Sequence, residues 1–343
     1  MEKKTIQIKF VDWEVSSHKT GNYLPKNIIL ESLKKNYNII LSENPQIVFC
    51  GFSGSDFFKY NCIRVLYNIE EYAPNFNAYD YAITIFEDFQ YADRVFSRVC
   101  PLIEANSKRD HDLALTKHFF TKADFERKSG FCSYVQSNET CGNVAREQMF
   151  AILNNYKKVD SGGKHLNNIG YRVEDKVEFE TNYKFSISFL NSQSYTYQDR
   201  PTDAFAAKTI PIYLGNPGIA KIFNSKSFIN CHEFNNFYEV LEYVKKIDND
   251  DELYFSIMRE QAFITPESSS EIQKKFDNFL VNIVENGTIQ RGSHFAKVAE
   301  KELFIGRRAI RRRRFIVAIL VTVFKPFTKT KFGQKIRGMI MGY

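Results

Sequence analysis

An acid and a base stand side by side at Asp199 and Arg200, at the end of a loop rich in Asn, Ser, Gln and Tyr and just before Pro201. Around them, residues 183–217 read YKFSISFLNSQSYTYQDRPTDAFAAKTIPIYLGNP. Residues 185–189 are apolar at alternate positions, as a strand is. Pro201 suits the first position of a helix over 202–208. A second apolar run, 210–214, is closed by Gly215 and Pro217. Strand, loop, helix and strand make a βαβ unit, and ligands of such sheets bind at the carboxyl ends of strands beside helix N-termini. Asp199 and Arg200 fall at that place. The residues by themselves also allow a solvated charge pair at a helix start. Two further carboxylates, Glu70 and Glu71, lie in a loop after the strand-like run 63–67, where surface carboxylates are ordinary. No acidic pair suited to a metal ends a strand: Asp80 and Asp93 stand alone, and the acids at 248–251 read as a solvated turn. The six cysteines and six histidines show no zinc spacing, so no metal is expected.

The elements that must position these groups alternate along the chain. Strands are expected at 5–10, 46–50, 63–67 and 81–86, with a helix at 27–36. Residues 101–128 are mixed and charged and read as a connection with a helix at 123–128. A second α/β unit opens with a strand at 131–135 and a helix at 146–156. After the central stretch, 221–236 and 237–246 supply a strand and a helix, and 252–286 reads mostly helical. At 343 residues the chain exceeds the size at which one core stops growing. The expected division is an N-terminal domain over 1–128, a C-terminal domain over 129–300 and a tail over 301–343.

The order of several motifs resembles the bacterial α-1,3/4-fucosyltransferases. In that family a strand ending Phe-Glu-Asn-Ser leads through an aromatic loop to Thr-Glu-Lys and a Pro-Ile-Tyr-x-Gly strand. Here the matching residues are Phe189-Leu190-Asn191-Ser192, Gln198-Asp199-Arg200 and Pro211-Ile212-Tyr213-Leu214-Gly215. FCSYVQSN at 131–138, Arg146, YKKVDSGGKHLNNIG at 156–170, PNFNAYDYAI at 74–83, ADR at 92–94 and KSFIN at 226–230 extend the likeness over roughly residues 60–245. The resemblance implies an α/β fold of GT-B architecture, two Rossmann-like domains facing across a cleft, with acceptor bound by the first and GDP-sugar by the second. It implies inverting transfer of L-fucose from GDP-fucose to an N-acetylglucosamine-containing glycan, in α-1,3 or α-1,4 linkage, in surface polysaccharide or lipopolysaccharide synthesis. Such transfer needs a base for the acceptor proton and positive charge for the departing diphosphate. Glu70 matches the family's proposed base, with Glu71 as the alternative. Arg146 and Arg200 are the expected diphosphate clamp, Arg200 standing where the family has lysine. Asp199 stands where a family glutamate contacts donor sugar hydroxyls, and Asn191, Gln193, Tyr195 and Tyr197 are expected to line the same pocket. Leu190 departs further, since the family has a glutamate there. Two other readings stay open: a relative using another nucleotide sugar, and a membrane-associated glycan- or nucleotide-binding protein without catalysis.

Charge is divided unevenly. Residues 301–343 carry twelve Lys and Arg against one acid, a net of +11, which leaves the other 300 residues at −4 within a whole-chain +7. A basic groove for nucleic acid along the body is therefore not supported. Six arginines between 307 and 314 precede FIVAILVTVF at 315–324. A spanning helix needs about 20 apolar residues, so this run is expected to lie in the interface of an anionic membrane. A helix packed on the body is the other reading. The resemblance favours the anchor, since bacterial members often end in a basic amphipathic tail. The chain opens Met-Glu-Lys-Lys with no export signal, so a cytoplasmic location is expected. Peripheral binding to the inner membrane face would place the enzyme near lipid-linked glycan acceptors.

Overall fold

The computed structural model describes residues 2–13, 25–52, 54–69, 73–86, 89, 91–103, 105–137, 144–190 and 200–292. The first half builds one sheet from β1 (Lys4–Val11), β2 (Tyr37–Leu41), β3 (Ile47–Cys50), β4 (Ile63–Asn68), β5 (Tyr81–Thr84) and β6 (Val95–Phe96). Their spatial order is β2-β1-β3-β4-β5-β6, and every pairing is parallel. Every residue of β3 and β5 is buried, the pattern of strands covered on both faces of a parallel sheet. Helix α1 (Pro25–Lys34) carries the chain back to start β2. β2, unforeseen in the sequence, is an edge strand that leaves Ile40 and Leu41 exposed.

Residues 101–128 are more regular than their composition suggests. Helix α2 (Ala105–Leu115) and a short α3 (Lys122–Glu126) fill them. α2 has charged residues over much of its surface yet packs against the helix Arg200–Ala206 of the second half. Tertiary contact, not propensity, makes this helix.

The second sheet comprises β7 (Gly130–Tyr134), β8 (Val159–Ser161), β9 (Tyr183–Phe189), β10 (Ile210–Leu214) and β11 (Ile229–Asn230). Its order is β11-β10-β9-β7-β8, again all parallel. Helices α4 (Val144–Tyr156), α5 (Lys176–Glu180), α6 (Arg200–Ala206), α7 (Phe237–Asp248) and α8 (Asp251–Met258) connect and cover it, and α9 (Ser269–Asn286) follows. The expected βαβ unit is present as β9, α6 and β10. Its helix begins at Arg200 and not at Pro201, so Pro201 takes the second position, where its missing N–H is still no loss. The helix ends earlier than expected because Lys208 adopts a left-handed backbone, φ +50°. Thr209 N then bonds Ala204 O at 2.8 Å and closes the last turn.

Residues 252–286 are two helices. α9, read from the sequence as part of the second domain, packs on the first sheet instead. Ser32 and Lys35 bond Asp277, Tyr37 Oη donates to Glu285 at 2.9 Å, and the rings of Phe96 and Phe276 meet edge-on at 5.1 Å. Past α9, Gln290 N and Arg291 N donate to Asp80 Oδ1 at 2.8 and 2.9 Å, and the Arg291 guanidinium pairs with the same carboxylate. Asp80, fully buried, also accepts from Arg64 N at 2.9 Å. Breaking so enclosed a pair would strand a buried charge at a cost of about 3–5 kcal/mol. Two parallel sheets with a chain that crosses back to the first agree with the expected GT-B architecture. The expected tail at 301–343 lies outside the described residues.

Candidate active site

The parallel strands of the second sheet all end at one edge, at Tyr134, Ser161, Phe189 and Leu214. Helix α4 starts beyond β7 and α6 beyond β9, so both expected cations are set above this edge. Arg146, third in α4, is 1% exposed. Its Nε and Nη2 donate to Phe189 O at 3.1 and 2.8 Å, gripping the end of β9 where the loop to α6 departs. Arg200 opens α6 and is half-buried; its carbonyl accepts from Ser188 Oγ at 3.4 Å. The two guanidiniums meet electrostatically at Tyr134. Burial pushes that phenol up to about 12, while Arg146 and then Arg200 pull it down.

Below this edge runs a polar network that fixes α6. Lys176 pairs with Asp203, in the first turn of α6, at 2.9 Å and stands 3.8 Å from Glu180. Glu180 is fully buried and accepts from Ser186 Oγ at 2.7 Å and Ser133 Oγ at 3.3 Å. Burial raises its pKa; Lys176 and the two hydroxyls act the other way. For Lys176, burial lowers the pKa, but Asp203 and Glu180 outweigh it and the net shift is upward. None of Lys176, Glu180, Asp203, Ser133 or Ser186 was singled out from the sequence. The available signal was the pair of serines in FSISF: hydroxyls inside a buried strand require partners.

Leu190 is buried at the end of β9. It is 2% exposed, its N–H bonds Leu214 O at 2.8 Å, and its side chain belongs to the apolar core. A Cβ on Gly215 would come within 2.5 Å of Leu190 Cδ1, so the glycine makes room for the leucine. The first sheet presents a different edge. Asp12, at φ +64°, follows β1 and accepts from Asp56 N and Phe57 N at 3.0 and 3.1 Å. A Cβ on Gly54 would fall 1.5 Å from Asp12 Oδ1, and one on Gly51 2.2 Å from Asp12 O. Trp13 Nε1 donates to Phe49 O at 3.0 Å, and its ring rests on Phe10 and Tyr67. β4 ends at this same edge, at Asn68.

Of the expected site residues, Arg146 and Arg200 are brought to one edge. Glu70, Asn191, Gln193, Tyr195, Tyr197 and Asp199 lie outside the described residues. Among the described residues, no group of three or more His, Cys, Asp or Glu is placed to hold a metal ion.

Family models match both halves. The glycosyltransferase family 10 (fucosyltransferase) C-terminal model matches residues 125–286, and the alpha-(1,3)-fucosyltransferase FucT N-terminal domain matches residues 8–102. The chain belongs to the family 10 fucosyltransferases. It is 33% identical over 302 residues to the alpha-(1,3)-fucosyltransferase FucT of Helicobacter pylori, covering 77% of this chain and 63% of that protein. A putative fucosyltransferase of Acanthamoeba polyphaga mimivirus is 29% identical over 191 residues, 52% of this chain and 30% of that one. The chain thus spans less than two thirds of these curated relatives. A crystal structure of alpha1,3-fucosyltransferase with GDP-fucose matches 85% of this chain and 94% of its own, at 27% identity and a TM-score of 0.66. One with GDP matches 84% and 92%, at 28% identity and a TM-score of 0.65. The boundaries of the two family models fall on either side of α2, the helix that joins the sheets.

Proposed function

We propose that this family 10 member transfers L-fucose from GDP-β-L-fucose, with inversion, to an N-acetylglucosamine-containing glycan, forming an α-1,3 or α-1,4 linkage. The observation that supports it most is the convergence of Arg146 and Arg200 at the carboxyl edge of the second sheet. A similar fold has been solved with GDP-fucose bound. The acceptor oxygen attacks the fucose anomeric carbon as the bond to the diphosphate breaks, and GDP leaves with the electron pair. Glu70, the residue that matches the family's proposed base, takes the acceptor proton. Arg146 and Arg200 balance the charge that grows on the diphosphate, which lets the step run on side-chain cations without a metal.

The tail at 301–343 is proposed to hold the enzyme on the inner face of the cytoplasmic membrane, beside lipid-linked acceptors of surface polysaccharide synthesis. Its charge is the support. Among the described residues no helix is long and apolar enough to cross a membrane. Vesicle sedimentation tests the anchor: full-length protein is expected with anionic vesicles, less at high salt, and a chain ending near residue 300 is not. Equal sedimentation of both forms would mean a packed helix.

The donor is tested by measuring transfer and hydrolysis with GDP-fucose, GDP-mannose and UDP-sugars, with and without EDTA. GDP-fucose should be used at least tenfold better, and EDTA should not change GDP affinity. Preference for another donor would transfer the assignment to that sugar. Binding without turnover of any donor would mark a non-catalytic protein.

A further inference from the structure

Among the described residues, two buried polar side chains at the carboxyl edge of the second sheet lack partners. Tyr134, the last residue of β7, is fully buried and its hydroxyl makes no hydrogen bond. Gln136, two residues on, is 2% exposed, and both its amide oxygen and its amide nitrogen are unpaired. Buried polar groups are nearly always satisfied, so three such atoms in two neighbouring residues require an explanation.

Their setting is rigid. Gln136 O accepts from His165 N at 2.9 Å, and a Cβ on Gly163 would come within 1.9 Å of that same carbonyl. The Tyr134 ring packs on Phe150, with centroids 5.4 Å apart. β7 pairs in parallel with β9, whose end at Phe189 is held by Arg146. Arg146 and Arg200 both act electrostatically on the Tyr134 phenol, so its hydroxyl lies in the field of the two cations assigned to the diphosphate.

We propose that the Tyr134 hydroxyl and the Gln136 carboxamide are ligands of the bound nucleoside diphosphate. The phenol donates to a diphosphate oxygen beside the two arginines. The carboxamide, with one donor face and one acceptor face, pairs with the polar edge of the nucleoside and contributes to its selection. This rests on the reading that the second sheet takes a nucleotide sugar. It adds to that reading two groups that are neutral and therefore discriminate by geometry more than by charge.

The test is calorimetric titration of full-length wild type, Tyr134→Phe and Gln136→Leu with GDP and with UDP, beside thermal unfolding of each without nucleotide. Each variant is expected to bind GDP roughly tenfold more weakly. Gln136→Leu is also expected to narrow the preference for GDP over UDP. Neither substitution should lower the unfolding temperature, since each removes a buried group that already lacks a partner. If Gln136→Leu fails to fold, Gln136→Met, closer in shape, replaces it. Variants that bind GDP as tightly as wild type, with unchanged preference, overturn the inference alone. A wild type that does not bind GDP overturns it together with its premise.

Discussion

The two sheets share a topology and present opposite chemistry. At the edge of the second, Arg146 and Arg200 gather positive charge over strand ends that a buried network of Lys176, Glu180 and Asp203 holds in place. At the edge of the first, the described side chains include a carboxylate, Asp12, and an indole, Trp13, with Gly51 leaving room for the Asp12 backbone and Gly54 for its carboxylate. A displacement reaction needs this division. One side must retain a departing anion, and the other must take a proton from an uncharged hydroxyl. The difference teaches that one layer architecture, used twice, can carry different side chains at its strand ends, and the proposed division of roles rests on those residues.

The division can be broken from either side. Glu70→Gln should carry the largest effect. An amide cannot take the acceptor proton, so kcat should fall by about 10²–10⁴ while GDP affinity holds. Retention of more than half of wild-type kcat, with loss in Glu71→Gln, would give the role to Glu71. Arg146→Ala comes next, because it removes a cation and also leaves the buried Phe189 carbonyl without its donors. GDP binding should weaken by roughly 1.5–3 kcal/mol, with a lowered unfolding temperature. Arg200→Ala should lose similar GDP affinity with little loss of stability, and Arg200→Lys should keep much of the binding.

Gly54→Ala tests the other side. Its Cβ would fall 1.5 Å from Asp12 Oδ1, so the first sheet's edge must shift at a cost of about 1–3 kcal/mol. Transfer should slow several-fold while calorimetry shows GDP affinity unchanged. Equal damage to GDP binding would mean the two edges are not independent.

The smallest expected effect concerns pH and again separates the halves. Lys117 is fully buried; its Nζ donates to Ile257 O at 2.7 Å and to Met258 O and Glu260 O at 3.2 Å, capping α8. Burial draws its pKa down to about 7, and Lys128, bonded to Ala207 O and Thr209 Oγ1 at 3.0 Å, falls to about 7 for the same reason. Between pH 7 and the ordinary lysine value the unfolded chain binds more protons than the folded one. Stability of the second half should therefore rise as pH goes from about 7 towards 10, where the buried tyrosines begin to reverse it. Scanning calorimetry at pH 7 and 9 checks this, and a Lys117→Met variant should show a smaller rise.

Much of the fold was legible because parallel strands buried on both faces are nearly continuous apolar runs. IVFC and IPIYL could be read directly. YNIIL could not, since it follows α1 after a two-residue turn and half of it faces solvent. ANSKRDHDLAL has no strong apolar stripe, and its helix is formed by contact with α6. The return of α9 to the first sheet depends on the Asp277 and Asp80 contacts, which join residues more than 200 positions apart and leave no local pattern. At the site, Arg146 and Arg200 were found through motif order. Tyr134 and Gln136 lay inside a recognised motif but drew no role, because an unpaired buried atom is visible only in three dimensions.

The central claim is that the second sheet's edge binds the nucleotide and the first does not. Titrating GDP into wild type, Arg200→Ala and Glu70→Gln tests it most directly. Wild-type affinity is expected in Glu70→Gln and a loss of at least about tenfold in Arg200→Ala. Wild-type affinity in Arg200→Ala, or an equal loss in Glu70→Gln, would contradict it.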